Sequence, residues 1–225
     1  MKKLGLDREK RLLEIIKKLR KATACMAEPA ATSIVKGFGK DPFLVLVSCI
    51  LSLRTKDTVS LPASQRLFQL AKTPQGILGL PLGQIEQVIY PVGFYRNKAK
   101  HLHEISKDLI GRFGGKVPNN EQDLLSLKGV GPKTANLVLG EGFGIPAICV
   151  DTHVQRISNR LGLVKTRTPE QTEKALKLIL PKKYWIEYNR LLVQWGQNIC
   201  VPVSPFCSKC ILSDLCPKIG VKRSR

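Results

Sequence analysis

Lys133 and Asp151 are the two side chains of this sequence best suited to act together on a phosphorylated substrate. Lys133 follows a Gly-x-Gly turn, Gly129-Val130-Gly131, and Pro132. Proline suits the first position of a helix, where its missing N–H costs nothing and its fixed φ is already helical. The turn and the first helical positions leave the N–H groups of Gly129, Gly131, Lys133 and Thr134 without intrahelical acceptors. Glycine lets a ligand come close to the backbone, and free donors at a helix N-terminus attract anions, phosphate above all. Eighteen residues later Asp151 stands at the mouth of another helix, where the dipole favours its ionised form. Thr152 and Gln155 fit a capping box there. An ordinary reading stays open: a tight helix–helix turn, a solvated lysine and an aspartate that caps a helix.

The second constellation is Cys200, Cys207, Cys210 and Cys216. Four thiolates within seventeen residues can hold tetrahedral zinc or an iron–sulfur cluster. Zinc ribbons usually offer two C-x-x-C pairs. One pair with two outliers suits a cluster, whose corners need different reaches. No flavin or nicotinamide motif accompanies the cysteines, so a structural or sensing cluster is favoured over an electron-transfer enzyme. Cys25, Cys49 and Cys149 lie singly in apolar surroundings and read as buried free thiols.

These groups must be carried by helices, because no stretch alternates with period two for long enough to make a sheet. Residues 7–21 place Leu12, Ile15, Ile16 and Leu19 on one helical face and basic residues on the other. Residues 27–40 read as a loop or weak helix. Asp41 and Pro42 are an N-cap and first position, and 43–53 is apolar on all sides, as a buried helix should be. Helical segments follow at 61–71, 73–79, 82–89, 97–113 and 120–127. After the Gly-x-Gly turn comes a helix of about 13 Å at about 1.5 Å per residue. A glycine-rich return, 140–146, and the apolar run 147–150 lead to Asp151. The chain is then helical to 161, and Thr168 opens a further helix with another capping box. Trp185 and Trp195 read as core of the second domain. The turn 91–98 sets Phe94 and Tyr95 among basic residues. Phe94 is either a core plug or a wedge for base stacks.

The 225 residues carry 37 Lys+Arg against 17 Asp+Glu, a formal charge of +20, which favours a polyanionic partner. Residues 1–21 hold a net +6 and residues 218–225 four more basic side chains, so half of the excess lies on the body. No apolar run approaches the ~20 residues of a membrane span. The N-terminus lacks the apolar segment of a secretory signal, and Asp7, Glu9 and Glu14 argue against a transit peptide. A cytoplasmic, nucleoid-associated monomer is expected, in a compartment that keeps thiols reduced.

Residues 127–151, followed by the cysteine spacing, resemble the helix-hairpin-helix plus Gly/Pro-Asp signature of the endonuclease III family of DNA glycosylases. The resemblance runs from about residue 41 to 216. It implies an all-α, two-domain helix-hairpin-helix glycosylase fold with a [4Fe-4S] cluster loop. One domain would span 34–145, and the other 1–33 with 146–225. Damaged double-stranded DNA, or DNA with abasic sites, would lie across the cleft between them. The implied activity is bifunctional: removal of a damaged base, an oxidised pyrimidine in the first place, and strand cleavage by β-elimination. Lys133, kept neutral by nearby positive charge and partial burial, would attack the sugar C1′, and Asp151 would stabilise the charge developing on the sugar. Gly129, Val130, Gly131 and Thr134 would bind DNA through the hairpin, Phe94 as a wedge and Arg54 in the hole left by the flipped base. The four cysteines would hold the cluster.

Three features depart from the family pattern. Arg54 stands where glutamine is common, and arginine cannot accept a hydrogen bond. Lys128 replaces a usual proline and should strengthen phosphate binding. The loop between Cys200 and Cys207 has no basic residue, so Lys209 and Lys218 would have to serve DNA. Two alternatives remain in view: a monofunctional mismatch or adenine-type glycosylase, which needs no lysine at 133, and a non-catalytic helix-hairpin-helix DNA-binding protein.

Overall fold

The computed structural model describes residues 2–225. Every regular element among them is helical. The chain divides into two compact units, one of Pro29–Ala147 and one of Met1–Glu28 with Ile148–Arg225.

The first unit is built around α3 (Pro42–Ser52), in which Phe43 to Leu51 are all buried. Asp41 caps it, its carboxylate accepting from the N–H groups of Phe43 and Leu44, and Pro42 takes the first position. A helix apolar on every side has no face to give to water, so its neighbours must surround it. They include α2 (Ala30–Phe38), α4 (Asp57–Leu70) and α7 (Tyr95–Phe113), with α5 (Pro74–Gly79) and α6 (Leu82–Ile89) packed on α7. The segment expected as loop or weak helix is thus a true helix, α2. Its amphipathic stripe, with Ala30, Ala31 and Ile34 buried, packs on α3.

The hairpin closes this unit. Asn120 caps α8 (Glu121–Leu125), and its side chain accepts from Asp123 N–H at 2.9 Å. After the turn, α9 (Pro132–Leu137) is only one and a half turns long and continues as a π-helical turn, Val138–Gly142. The uninterrupted helix expected here is therefore broken by a bulge, a feature often found beside functional residues.

In the second unit α1 (Lys2–Thr23) buries Leu12, Ile15, Ile16 and Leu19 against α12 (Trp185–Asn198), as its periodicity requires. The unit also contains α10 (Thr152–Arg160) and α11 (Pro169–Ile179). Arg11 donates to the carbonyls of Leu161 and Leu215, tying α1 to the end of α10 and to the cysteine segment. Trp195 is core, and the half-buried Trp185 donates its indole N–H to Leu180 O. Thr168 caps α11, but the reciprocal Gln171 side chain accepts from Arg167 N–H, one residue before the box position. Cys49 and Cys149 are buried, whereas Cys25 is exposed. It lies beyond the last turn of α1, where the apolar stripe has ended.

Candidate nucleic-acid interface and cysteine centre

The hairpin turn is pinned from beneath. Leu127, Val130, Thr134 and Ala135 are all buried, and Val130 N–H donates to Leu127 O at 3.1 Å. Gly129 has φ +75°, a left-handed conformation that favours glycine, and a Cβ there would meet His101 Nδ1 at 3.2 Å. This anchoring turns Lys128, Gly129 and Lys133 outward to solvent. Gly131 is the N-cap of α9 and supplies no side-chain cap, so the first N–H groups of the helix keep their donors for a ligand. Because the side chains of Val130 and Thr134 are buried, only their backbone can meet DNA.

Lys133 is exposed, contrary to the partial burial expected of it. Its position on the first turn of α9 points the stem away from the packed face carrying Thr134 and Ala135. Its charge is felt by Cys49 in α3: burial pushes that thiol up to about 12, and Lys133 works against the rise.

Asp151, at the start of the second unit's continuous segment, is the N-cap of α10. Its Oδ1 accepts the N–H of His153 and of Val154, each at 2.9 Å. The capping box expected from Thr152 and Gln155 does not form. Thr152 is already helical, and Gln155 donates instead to Arg167 O at 2.7 Å. Aspartate directly before the helix outcompetes a threonine one position later. Both capping bonds use Oδ1, which leaves Oδ2 for other work.

Phe94 is 61 % exposed, so it does not plug the core. It adopts φ 58°, ψ 32°, immediately before α7. Arg54, also exposed and left-handed at φ 51°, lies in the turn after α3. Its guanidinium carbon stands 6.0 Å from the centre of the Phe94 ring. The two side chains thus form one cation–aromatic tip built from two loops.

Cys200, Cys207, Cys210 and Cys216 are half-buried and line one pocket together with Arg160, Phe206 and others. Cys200 N–H closes the end of α12 by donating to Trp195 O, and Cys207 begins a single 3-10 turn, Cys207–Lys209. Burial pushes the Cys210 and Cys216 thiols up; the Leu212 backbone N–H, and less strongly a Trp195 side-chain hydrogen bond, oppose this at Cys210, and the Lys218 backbone N–H opposes it at Cys216. Arg160 donates to Cys200 Sγ at 3.4 Å and to the carbonyls of Val201 and Pro202. Arg156 donates to Cys200 O and Gly196 O. Two arginines of α10, neither of them a candidate from sequence, therefore hold the first arm of the cysteine loop. They sit on the helix that Asp151 caps, a spacing no motif announces. No three His, Cys, Asp or Glu side chains among the described residues converge closely enough to hold a single metal ion.

Residues 47–182 match the model of the HhH-GPD superfamily of base excision DNA repair proteins. The endonuclease III of Thermotoga maritima is 47 % identical over 196 residues, covering 85 % of this chain and 92 % of that protein. The chain belongs to the endonuclease III family. Endonuclease III of Bacillus subtilis is 40 % identical over 186 residues, covering 82 % and 84 % of the two chains. A longer relative, endonuclease III homolog 1 (chloroplastic) of Arabidopsis thaliana, is 44 % identical, and the chain spans 48 % of it. Among solved structures, a trapped endonuclease III–DNA covalent intermediate superposes with TM-score 0.82 at 33 % identity, over 93 % of this chain and 96 % of that one. Membership makes the chain a DNA glycosylase with AP lyase activity and the helix-hairpin-helix fold, as the two sequence signatures imply. No helix among the described residues is long and apolar enough to cross a membrane.

Proposed function

We propose that this member of the family removes oxidised pyrimidines from duplex DNA, where the nucleoid exposes them, and cuts the strand on the 3′ side of the resulting site. The observation that carries the reading is Lys133 itself, exposed on the first turn of the helix that the glycine hairpin opens. A glycosylase that only releases the base has no use for an amine there.

The damaged nucleotide is flipped out of the stack. The neutral amine of Lys133 attacks C1′, the glycosidic bond breaks, and the base leaves with the bonding pair. Asp151, held by its two capping bonds, offsets the positive charge developing on the sugar and takes up the proton that the amine gives off. Opening of the sugar ring gives an iminium ion. That ion acidifies the C2′ proton, whose removal expels the 3′ phosphate, and water then frees Lys133 from the sugar. The hairpin N–H groups hold backbone phosphate, with Lys128 adding charge, and carry no sequence information.

Cys200, Cys207, Cys210 and Cys216 fit a [4Fe-4S] cluster. A single zinc, at about 2.3 Å from each sulfur, would draw the thiolates to one point, whereas these four line a pocket in which N–H donors reach the sulfurs of Cys200 and Cys216. The cluster would tie the loop covalently and supply no step of the excision.

Duplexes carrying one defined lesion each test the reading. Release of free base and a 3′ nick from oxidised pyrimidine, at rates well above those for a mismatched adenine, is the expected result. Base release without nicking would favour the monofunctional alternative.

A further inference from the structure

Lys98 is a lysine of α7 that is only 5 % exposed. Its ammonium donates to Leu51 O at 2.8 Å, to Leu53 O, and to Thr55 Oγ1 at 3.1 Å. Three donors meet three acceptors, all neutral oxygens at the C-terminal end of α3 and the turn behind it. Burying a cation is costly unless its hydrogen bonds are made, and carbonyls at a helix C-terminus suit it. The residues it grips flank Arg54 on both sides. Through its backbone N–H the same lysine donates to Phe94 O at 3.0 Å, closing the first turn after Phe94.

The two turns also touch directly. Thr55 Oγ1 accepts from Gly93 N–H at 3.1 Å, and a Cβ at Gly93 would stand 3.1 Å from Arg54 O. Arg54 and Phe94 are both non-glycine residues in left-handed backbone, a strained state that lasts only where the surroundings impose it. Lys98, Thr55 and Gly93 are those surroundings.

We propose that Lys98 is a positioning residue that locks the Arg54 turn to the Phe94 turn, so that wedge and gap-filling side chain enter duplex DNA as one rigid tip. The inference rests on the DNA-contacting roles that the family resemblance implies for Arg54 and Phe94. It makes Lys98 a determinant of how the enzyme opens a paired lesion, and leaves the chemical steps to other residues. An already unpaired lesion needs no wedge, so it should be largely indifferent to Lys98.

The test compares single-turnover excision of one lesion in a fully paired duplex and in a bubble, for the wild-type holoenzyme, Lys98→Met, Phe94→Ala and Arg54→Ala. 2-Aminopurine opposite the lesion reports unstacking. Lys98→Met keeps the stem and removes the donors. It should lower the duplex rate about ten-fold more than the bubble rate, in line with release of the strain that the lock maintains, and should blunt the fluorescence rise. Thr55→Val, which removes a single bridging oxygen, should act in the same direction if Lys98→Met does not fold. An unchanged duplex-to-bubble ratio in Lys98→Met, beside a lowered ratio in Phe94→Ala, would overturn the role of Lys98 alone. Unchanged ratios in Phe94→Ala and Arg54→Ala as well would overturn the wedge reading and this inference with it. Equal losses on both substrates would reduce Lys98 to a structural residue.

Discussion

Asp151 Oδ1 accepts the N–H of Val154 at 2.9 Å and so closes the first turn of α10 with the carboxylate assigned to the chemistry. Capping and catalysis are separable here, because Asn can cap a helix as well as Asp can. Asp151→Asn should unfold at nearly the wild-type temperature while base release slows strongly, since the charge is gone and the cap remains. Asp151→Ala should lose activity and also about 1 kcal/mol of stability. Equal destabilisation by both variants in urea titrations would mean that the cap needs the charge.

The two glycines of the hairpin should part company in the same kind of test. Gly131 has φ −103° and open space where a Cβ would point. Gly131→Ala should therefore fold normally, yet weaken binding to all duplexes alike by crowding the phosphate. Gly129→Ala must hold a side chain at φ +75° against His101, which costs roughly 1–2 kcal/mol. Calorimetry and binding to an abasic-analogue duplex at several salt concentrations separate the two effects. A sequence-dependent loss with Gly131→Ala would contradict a purely phosphate-binding hairpin.

Much of this architecture is legible in the sequence. The all-apolar run of α3, the Asp41-Pro42 start and the stripe of α1 are local patterns that packing had only to accept. The hairpin was legible for the same reason: it is a short motif whose geometry is fixed by adjacent residues. What escaped the sequence depends on distant partners. The exposure of Lys133 follows from which face of α9 meets α3, and one and a half turns are too few for periodicity to tell. Asp151 as a cap was among the open readings, but the box read at Thr152 and Gln155 does not form, because aspartate and threonine in tandem compete for one role. Lys98 left a faint trace, standing one turn before Leu102 on the apolar stripe that continues through Ile105 and Leu109. A lysine on a helix reads as a solvated charge unless that stripe is followed back to it.

Lys98 also leaves a signature in stability. Burial lowers its pKa from 10.5 to about 8. Below pH 8 the amine is charged in folded and unfolded chains alike, and the folded chain bears the cost of burying it. Between about 8 and 10.5 the folded chain has lost that proton while the unfolded chain retains it, so unfolding takes up a proton and rising pH favours the fold. Relative to Lys98→Met, the wild type should gain stability from pH 8 to 10 in urea unfolding. A difference independent of pH would mean that the lysine titrates normally.

Iron should be stoichiometric, about four per chain with a broad brown absorbance, and Cys210→Ser should lose it. The cysteine loop is held by Arg156 and Arg160 from α10, so chelation of the iron should loosen the loop more than it unfolds α10. Stoichiometric zinc in protein purified without oxygen would contradict the cluster.

The central claim is that Lys133 forms the covalent link to DNA. Borohydride added during turnover reduces an imine to a stable amine, so wild-type protein and a lesion-bearing duplex should give one cross-linked species, mapped by mass spectrometry to Lys133. Lys133→Gln should give none, while still binding the damaged duplex. An undiminished adduct in Lys133→Gln, mapped to another amine, would contradict the account.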